Sequence, residues 1–285
     1  MDGNIIEIKG LEKSYDGFHL GPIDMSVPYG AVTGFIGENG AGKSTTIKLM
    51  IGAIKRGAGE IKLFGQPVTG GSADIELKQR IGVVLGEGCF HPNLTPENID
   101  RILAPIYRKW DSKRYFELLE QFGLSAKKTV KEMSRGMKMK LALAAALSHD
   151  AELLILDEPT SGLDPVVRDE LLDVFLDFVR DDRRSILISS HITSDLEKAA
   201  DYITFIHKGQ IVLTDERDAM LERMCILKCP LDDVASLPQD MIMGIRRNSF
   251  GAQVLIDRAG VPSGGVVDHA TLEDIMLYTI RGEKQ

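Results

Sequence analysis

A parallel-sheet α/β fold is predicted by three features of this 285-residue chain. Four short apolar runs, at 31–36, 80–85, 153–156 and 185–189, have the composition of buried strands. A glycine-rich run joins the first of them to a stretch with helical spacing. Two acids close the third, where a parallel sheet presents its carboxyl edge to ligands.

The first strand leads into Gly37-Glu38-Asn39-Gly40-Ala41-Gly42-Lys43-Ser44-Thr45. The spacing from Gly37 to Gly42 and Lys43 matches a P-loop, in which successive backbone N–H groups point at one anion. The glycines let the main chain approach phosphate closely. Lys43 supplies a cation for the β- and γ-phosphates, and Ser44 a hydroxyl for Mg²⁺. A helix from Lys43 to about Ala53 aims its positive end at the anion. Thr46-Ile47-Lys48-Leu49-Met50-Ile51 has the apolar spacing such a helix needs.

The strand at 153–156 ends in Asp157 and Glu158. In isolation this pair reads as a solvated strand end. Following four apolar residues in a chain with a P-loop, Asp157 is placed to hold Mg²⁺, and Glu158 to orient or deprotonate the attacking water. Pro159 stops the strand, and a loop leads into a helix over 166–180. The fourth strand leads to Ser190 and His191, whose imidazole can donate to the γ-phosphate and report which nucleotide is bound.

Composition narrows the class. At 44% hydrophobic and 27% charged the chain can bury a large core. Its 34 basic and 42 acidic residues give −8, and no basic stretch interleaves with aromatics, so nucleic acid is not the expected partner. The N-terminus lacks a signal-peptide pattern and the longest apolar run is 141–147, so a cytoplasmic protein is expected, peripheral on the inner face of the membrane if it works there. Cys89, Cys225 and Cys229 suggest free thiols rather than a disulfide framework or a zinc site.

With Met133-Ser134-Arg135-Gly136-Met137 placed just before the acidic strand, the chain resembles the ATP-binding cassette subunit of an ABC transporter over at least residues 4–217. The resemblance implies a RecA-like P-loop NTPase core, an N-terminal antiparallel β region, a helical signature subdomain at about 89–149 and a small C-terminal α+β extension. The corresponding domains are 1–217 and 218–285. It implies ATP and Mg²⁺ as cofactors. Ser134, Arg135, Gly136 and Met137 would be the signature that touches ATP held by a second cassette, identical or not. Ser161, Gly162, Leu163 and Asp164 match the D-loop at that interface, His191 the switch histidine, and Tyr15 the aromatic that stacks on adenine. Integral membrane permease subunits would be the other partners.

Two departures from the family pattern stand out. Where the family places a glutamine, this chain has Leu85-Gly86-Glu87-Gly88. Either Glu87 reaches the metal as a hard oxygen ligand, or it is a solvated loop acid and water replaces the amide. Arg135 stands in place of a signature glycine and, with Met137, resembles the variant common in ABC-2 type cassettes, which include bacterial exporters. In the insert, Thr95 and Pro96 start a helix that could run to Tyr107, and a second helix spans 112–122. The resemblance makes 89–98 a candidate groove for a membrane subunit, with a bland surface loop as the rival reading.

Beyond Leu213 the expected elements are a helix over 215–223, strands at 225–228 and 252–256, and a last helix opened by a Thr271–Asp274 capping box, with Leu272, Ile275, Met276 and Ile280 on one face. The leading function is the ATP-driven engine of an exporter. The runner-up is a pore-less ABC ATPase, such as one serving iron-sulfur assembly. A P-loop kinase or binding switch is remote, because neither kind carries the signature, D-loop and His191 together.

Overall fold

The computed structural model describes residues 3–86, 88–249 and 251–281. At its centre is a six-stranded sheet in the order β10-β9-β3-β8-β7-β6. Its strands are β3 (Val32–Ile36), β6 (Ile81–Leu85), β7 (Leu153–Asp157), β8 (Ser185–Ser190), β9 (Tyr202–His207) and β10 (Gln210–Glu216). All neighbours pair in parallel except β9 with β10.

Every residue of β7 is buried, as expected of a parallel strand covered on both faces. Successive side chains go to opposite faces. Leu154 and Leu156 therefore join the core formed with α6 (Pro165–Phe178) and α7 (Thr193–Ala199), while Leu153 and Ile155 join the core on the other face. The latter contains α1 (Lys43–Met50) and the antiparallel sheet β2-β1-β4-β5, whose strands are β1 (Asn4–Tyr15), β2 (Phe18–Pro28), β4 (Ala58–Leu63) and β5 (Gln66–Pro67). A single helical turn, α2 (Ile75–Lys78), precedes β6.

The insert between β6 and β7 carries α3 (Pro96–Leu103), α4 (Ser112–Gln121) and α5 (Arg135–Ala146). Within the insert, the end of α3 departs furthest from the sequence expectation. α3 stops at Leu103 rather than Tyr107: Ala104 keeps helical dihedrals, but Pro105 after it has no N–H to continue the hydrogen-bond ladder. α5 begins at Arg135, so Ser134 is its N-cap and accepts a hydrogen bond from the Met137 N–H at 3.3 Å. Leu141, Ala144 and Ala145 of α5 pack on Tyr115, Leu118 and Leu119, while Met139, Ala142, Leu143 and Ala146 face the main sheet. The insert is thereby fastened to the core. Close by, His149 is buried, with Nε2 3.1 Å from the Ile81 carbonyl and its ring 4.0 Å from that of Tyr107; burial holds its imidazole below the usual histidine pKa.

The C-terminal residues form α8 (Arg217–Arg223), a second antiparallel sheet and α9 (Leu272–Arg281). That sheet has the order β12-β13-β11-β14, with β11 (Met224–Cys229), β12 (Ile242–Asn248), β13 (Gly251–Asp257) and β14 (Val266–His269). The sequence indicated β11 and β13 but not β12 or β14. β12 has a glycine inside its apolar start and ends in Arg246, Arg247 and Asn248, and β14 is four residues long and largely exposed, so neither stands out with a strand's alternation. The helix expected from Asp215 starts at Arg217, because Asp215 and Glu216 still pair in β10.

Thr271 and Asp274 form the reciprocal cap at the start of α9, with both backbone bonds at 3.1 Å. The Leu272 N–H donates to Glu197 Oε1 of α7 at 2.6 Å, and Leu272, Ile275 and Tyr278 enter the same core as Leu196 and Phe175. Leu272 is fully buried, so Leu272→Ala is expected to destabilise the protein by about 2–5 kcal/mol, read as a lowered urea midpoint.

Candidate functional site

The candidate site is a cleft of about 480 Å³ at the carboxyl edge of the central sheet, lined by Tyr15, Phe18, Glu38, Asn39, Gly40, Gly42, Lys43, Ser44, Thr45 and Glu158. Between β3 and α1 the chain makes its glycine-rich turn. Gly42 has φ +115°, which side chains oppose, and a Cβ there would come within 2.6 Å of Leu20 Cδ1. It precedes α1 without any side-chain cap, leaving the helix N-terminus to an external anion.

Lys43 is nearly buried and folded back on its own loop. Its Nζ donates to the carbonyls of Gly37 at 2.6 Å and Glu38 at 3.2 Å, and pairs with Glu158 Oε1 at 3.1 Å. The other carboxylate oxygen of Glu158 lies 2.6 Å from His191 Nδ1. Lys43, Glu158 and His191, drawn from the P-loop and the ends of β7 and β8, thus form one connected unit. Asp157, at the end of β7, is buried and accepts a hydrogen bond from Ser189 Oγ at 2.6 Å. Glu158 has φ +53°, and its N–H donates to both Ser189 Oγ and the Ser189 carbonyl at 3.1 Å. Ser189 therefore fixes both acids, a role the sequence reading missed; its signal was a hydroxyl at the end of the strand beside the acidic one.

Tyr15 is half exposed at the mouth of the cleft, with the Lys13 ammonium 5.4 Å from its ring centre. Phe18 lines the same wall and was also missed, although it follows Tyr15 by only three residues across the β1–β2 turn. Among the described residues, the charged side chains that line this cleft are those of Glu38, Lys43 and Glu158.

Ser134, Arg135, Gly136 and Met137 do not line the cleft. They lie at the start of α5, beside the loop of Ser161, Gly162, Leu163 and Asp164. A Cβ on Gly136 would lie 3.2 Å from Val167 Cγ1, and Asp164 caps α6 by accepting from the Val167 N–H at 3.1 Å. Glu87 lies outside the described residues. Among the described residues the three cysteines are free, and no helix is long and apolar enough to cross a membrane.

A family model described as ABC transporter matches residues 20–161. The chain is similar to the bacitracin transport ATP-binding protein BcrA of Bacillus licheniformis, with 38% identity over 73% of this chain and 67% of that protein. It is 36% identical to the lantibiotic transport ATP-binding protein SrtF of Streptococcus pyogenes, over 75% of this chain and 92% of the relative. With the uncharacterized ABC transporter ATP-binding protein YhcH of Bacillus subtilis the match extends over 97% of this chain and 91% of the other, at 32% identity. Among solved structures, CbiO1 of Clostridium perfringens, part of an ABC transporter complex, superposes with TM-score 0.66 at 26% identity, covering 78% of this chain and 92% of that one. A dimeric ATP-binding cassette bound to ADP and Pi shares the fold with TM-score 0.66 at 22% identity, covering 74% of this chain and 98% of its own.

Proposed function

Since the chain belongs to the ABC transporter family as an ATP-binding cassette subunit, we propose that its cleft is half of an ATP site, completed by the signature of a second cassette. It binds and hydrolyses ATP and powers a membrane transporter. The observation that carries the half-site reading is the separation within one chain. The cleft holds the phosphate cradle, Lys43 and Glu158, but none of the four signature residues at the start of α5. A helix N-terminus with the exposed Ser134 beside a half-buried Gly136 suits a phosphate that arrives on another subunit. Head-to-tail pairing then places each ATP between one P-loop and the partner's signature.

In this reading the P-loop amides and Lys43 bind the phosphates, Tyr15 and Phe18 flank the base, and Glu158 prepares the water while His191, beside its carboxylate, donates to the γ-phosphate. Mg²⁺ fits the donors present. Among the described residues no three His, Cys, Asp or Glu side chains are grouped to hold a metal, and Mg²⁺ asks for only one or two carboxylates beside phosphate and water. Asp157 and Ser44 would hold it, and when bound it neutralises charge on the transferred phosphoryl group. Lys43 must leave Glu158 for the γ-phosphate, so ATP binding itself releases the carboxylate for its task.

The partners are proposed to be integral permease subunits, with the cassettes peripheral on the cytoplasmic face of the membrane. The relatives named for bacitracin and lantibiotic transport make a peptide antibiotic the proposed cargo class. Purifying the tagged full chain from its own cells should recover a polytopic membrane protein in comparable amount. Recovery with soluble partners alone would move the assignment to a pore-less ABC ATPase.

A further inference from the structure

Arg135 replaces a glycine of the family's signature, and its side chain has a definite place. The guanidinium lies against Gly162 of the D-loop in the same chain. A Cβ on Gly162 would fall 2.7 Å from Arg135 Cζ and 3.3 Å from Nε, so the plane of the guanidinium fills the space where any other residue would carry its side chain. Gly162 has φ +68°, a left-handed conformation that also favours glycine. The two residues are complementary: the bare Cα of one accepts the flat face of the other, a fit lysine cannot reproduce.

The D-loop is also held from its far side. Leu163 is buried, its carbonyl accepts from Arg168 Nη2 at 3.3 Å, and Arg168 Nη1 lies 3.7 Å from Asp195 Oδ1 of α7, the helix that follows His191. Among the described residues the second oxygen of the buried Asp195 has no hydrogen-bond partner, so this ion pair is only half engaged. A continuous set of contacts therefore runs from the signature through Gly162 and Leu163 to Arg168 and the switch-histidine helix.

We propose that Arg135 is a positioning residue that latches the D-loop to the signature of its own subunit, so that the two move as one body. Its effect on hydrolysis rests on the half-site reading above. A signature drawn onto the partner's ATP would then carry Ser161–Asp164 with it, and so bias Arg168, Asp195 and His191 in its own site. The chemistry needs no contact between Arg135 and nucleotide.

The test has two arms on the full chain. In the nucleotide-free protein, Arg135→Ala should speed amide hydrogen exchange at Leu163, whose N–H is bonded to the Thr160 carbonyl at 3.3 Å, by about tenfold, and leave Thr46 of the P-loop helix unchanged. Arg135→Lys should restore little of the protection. Unchanged exchange at Leu163 overturns the latch. In ATPase assays Arg135→Ala and Gly162→Ala should each lower kcat by roughly ten- to a hundredfold with KM for ATP nearly constant, and the double variant should be no worse than the poorer single. Multiplying losses, or a raised KM in place of a lowered kcat, overturn it as well. Wild-type turnover that is independent of protein concentration would count against the half-site reading instead, and the exchange arm would still decide the latch.

Discussion

Glu158→Gln is expected to lower steady-state ATP hydrolysis by roughly 10²- to 10⁴-fold while the nucleotide stays bound, so that an ATP-loaded dimer accumulates. The expectation comes from how the carboxylate is held. Its backbone sits in the left-handed region at φ +53°, pinned by two bonds from its N–H to Ser189, and its oxygens face Lys43 at 3.1 Å and His191 at 2.6 Å. Glutamine has nearly the same shape and can keep the His191 contact, so the loop should not move. What it cannot do is accept a proton from water at neutral pH. It also removes a negative charge that competes with phosphate for Lys43, so affinity for ATP should hold or rise. Nucleotide binding, single-turnover hydrolysis and sedimentation with ATP measure the three parts separately. Near-normal turnover would remove Glu158 from the base role.

β7 could be read because a strand covered on both faces is apolar throughout, and its terminal acids stand out against that run. The P-loop was legible because close backbone approach to phosphate restricts residue types at fixed spacing. Ser189 was not, since a strand-end serine has many structural uses and only the register of β8 beside β7 brings it to Asp157. Likewise, Arg135 could be noted as a departure from a family pattern, but its resting place on Gly162 depends on how α5 and the loop before α6 meet in space. The C-terminal sheet was half legible for a related reason. β13 is buried along most of its length, whereas β12 and β14 flank the sheet and carry polar residues that weaken the alternation.

Lys43→Ala should weaken ATP binding itself, in contrast to the Glu158 substitution. Hydrogen bonds from a charged donor are worth about 1.5–3 kcal/mol each, so losing the ammonium from the phosphates should raise the Kd for ATP by at least about tenfold and by roughly a hundredfold at the upper end. Two further effects act in the same direction. The ammonium now donates to the Gly37 and Glu38 carbonyls, at 2.6 Å and 3.2 Å, and so helps shape the loop before any nucleotide arrives. Its removal also leaves the mostly buried Glu158 carboxylate facing the incoming phosphates without its cation. These contributions can be separated. If electrostatic opposition from Glu158 is a large part of the loss, the double variant Lys43→Ala/Glu158→Gln should bind ATP more tightly than Lys43→Ala alone. Equal affinities for the two would assign the loss to the missing phosphate contact and loop support. An unchanged Kd for Lys43→Ala would show that the P-loop amides hold the nucleotide without the lysine, and would leave the Lys43–Glu158 pair as a structural contact only. Isothermal titration with ATP, with and without Mg²⁺, reads all three proteins on one scale.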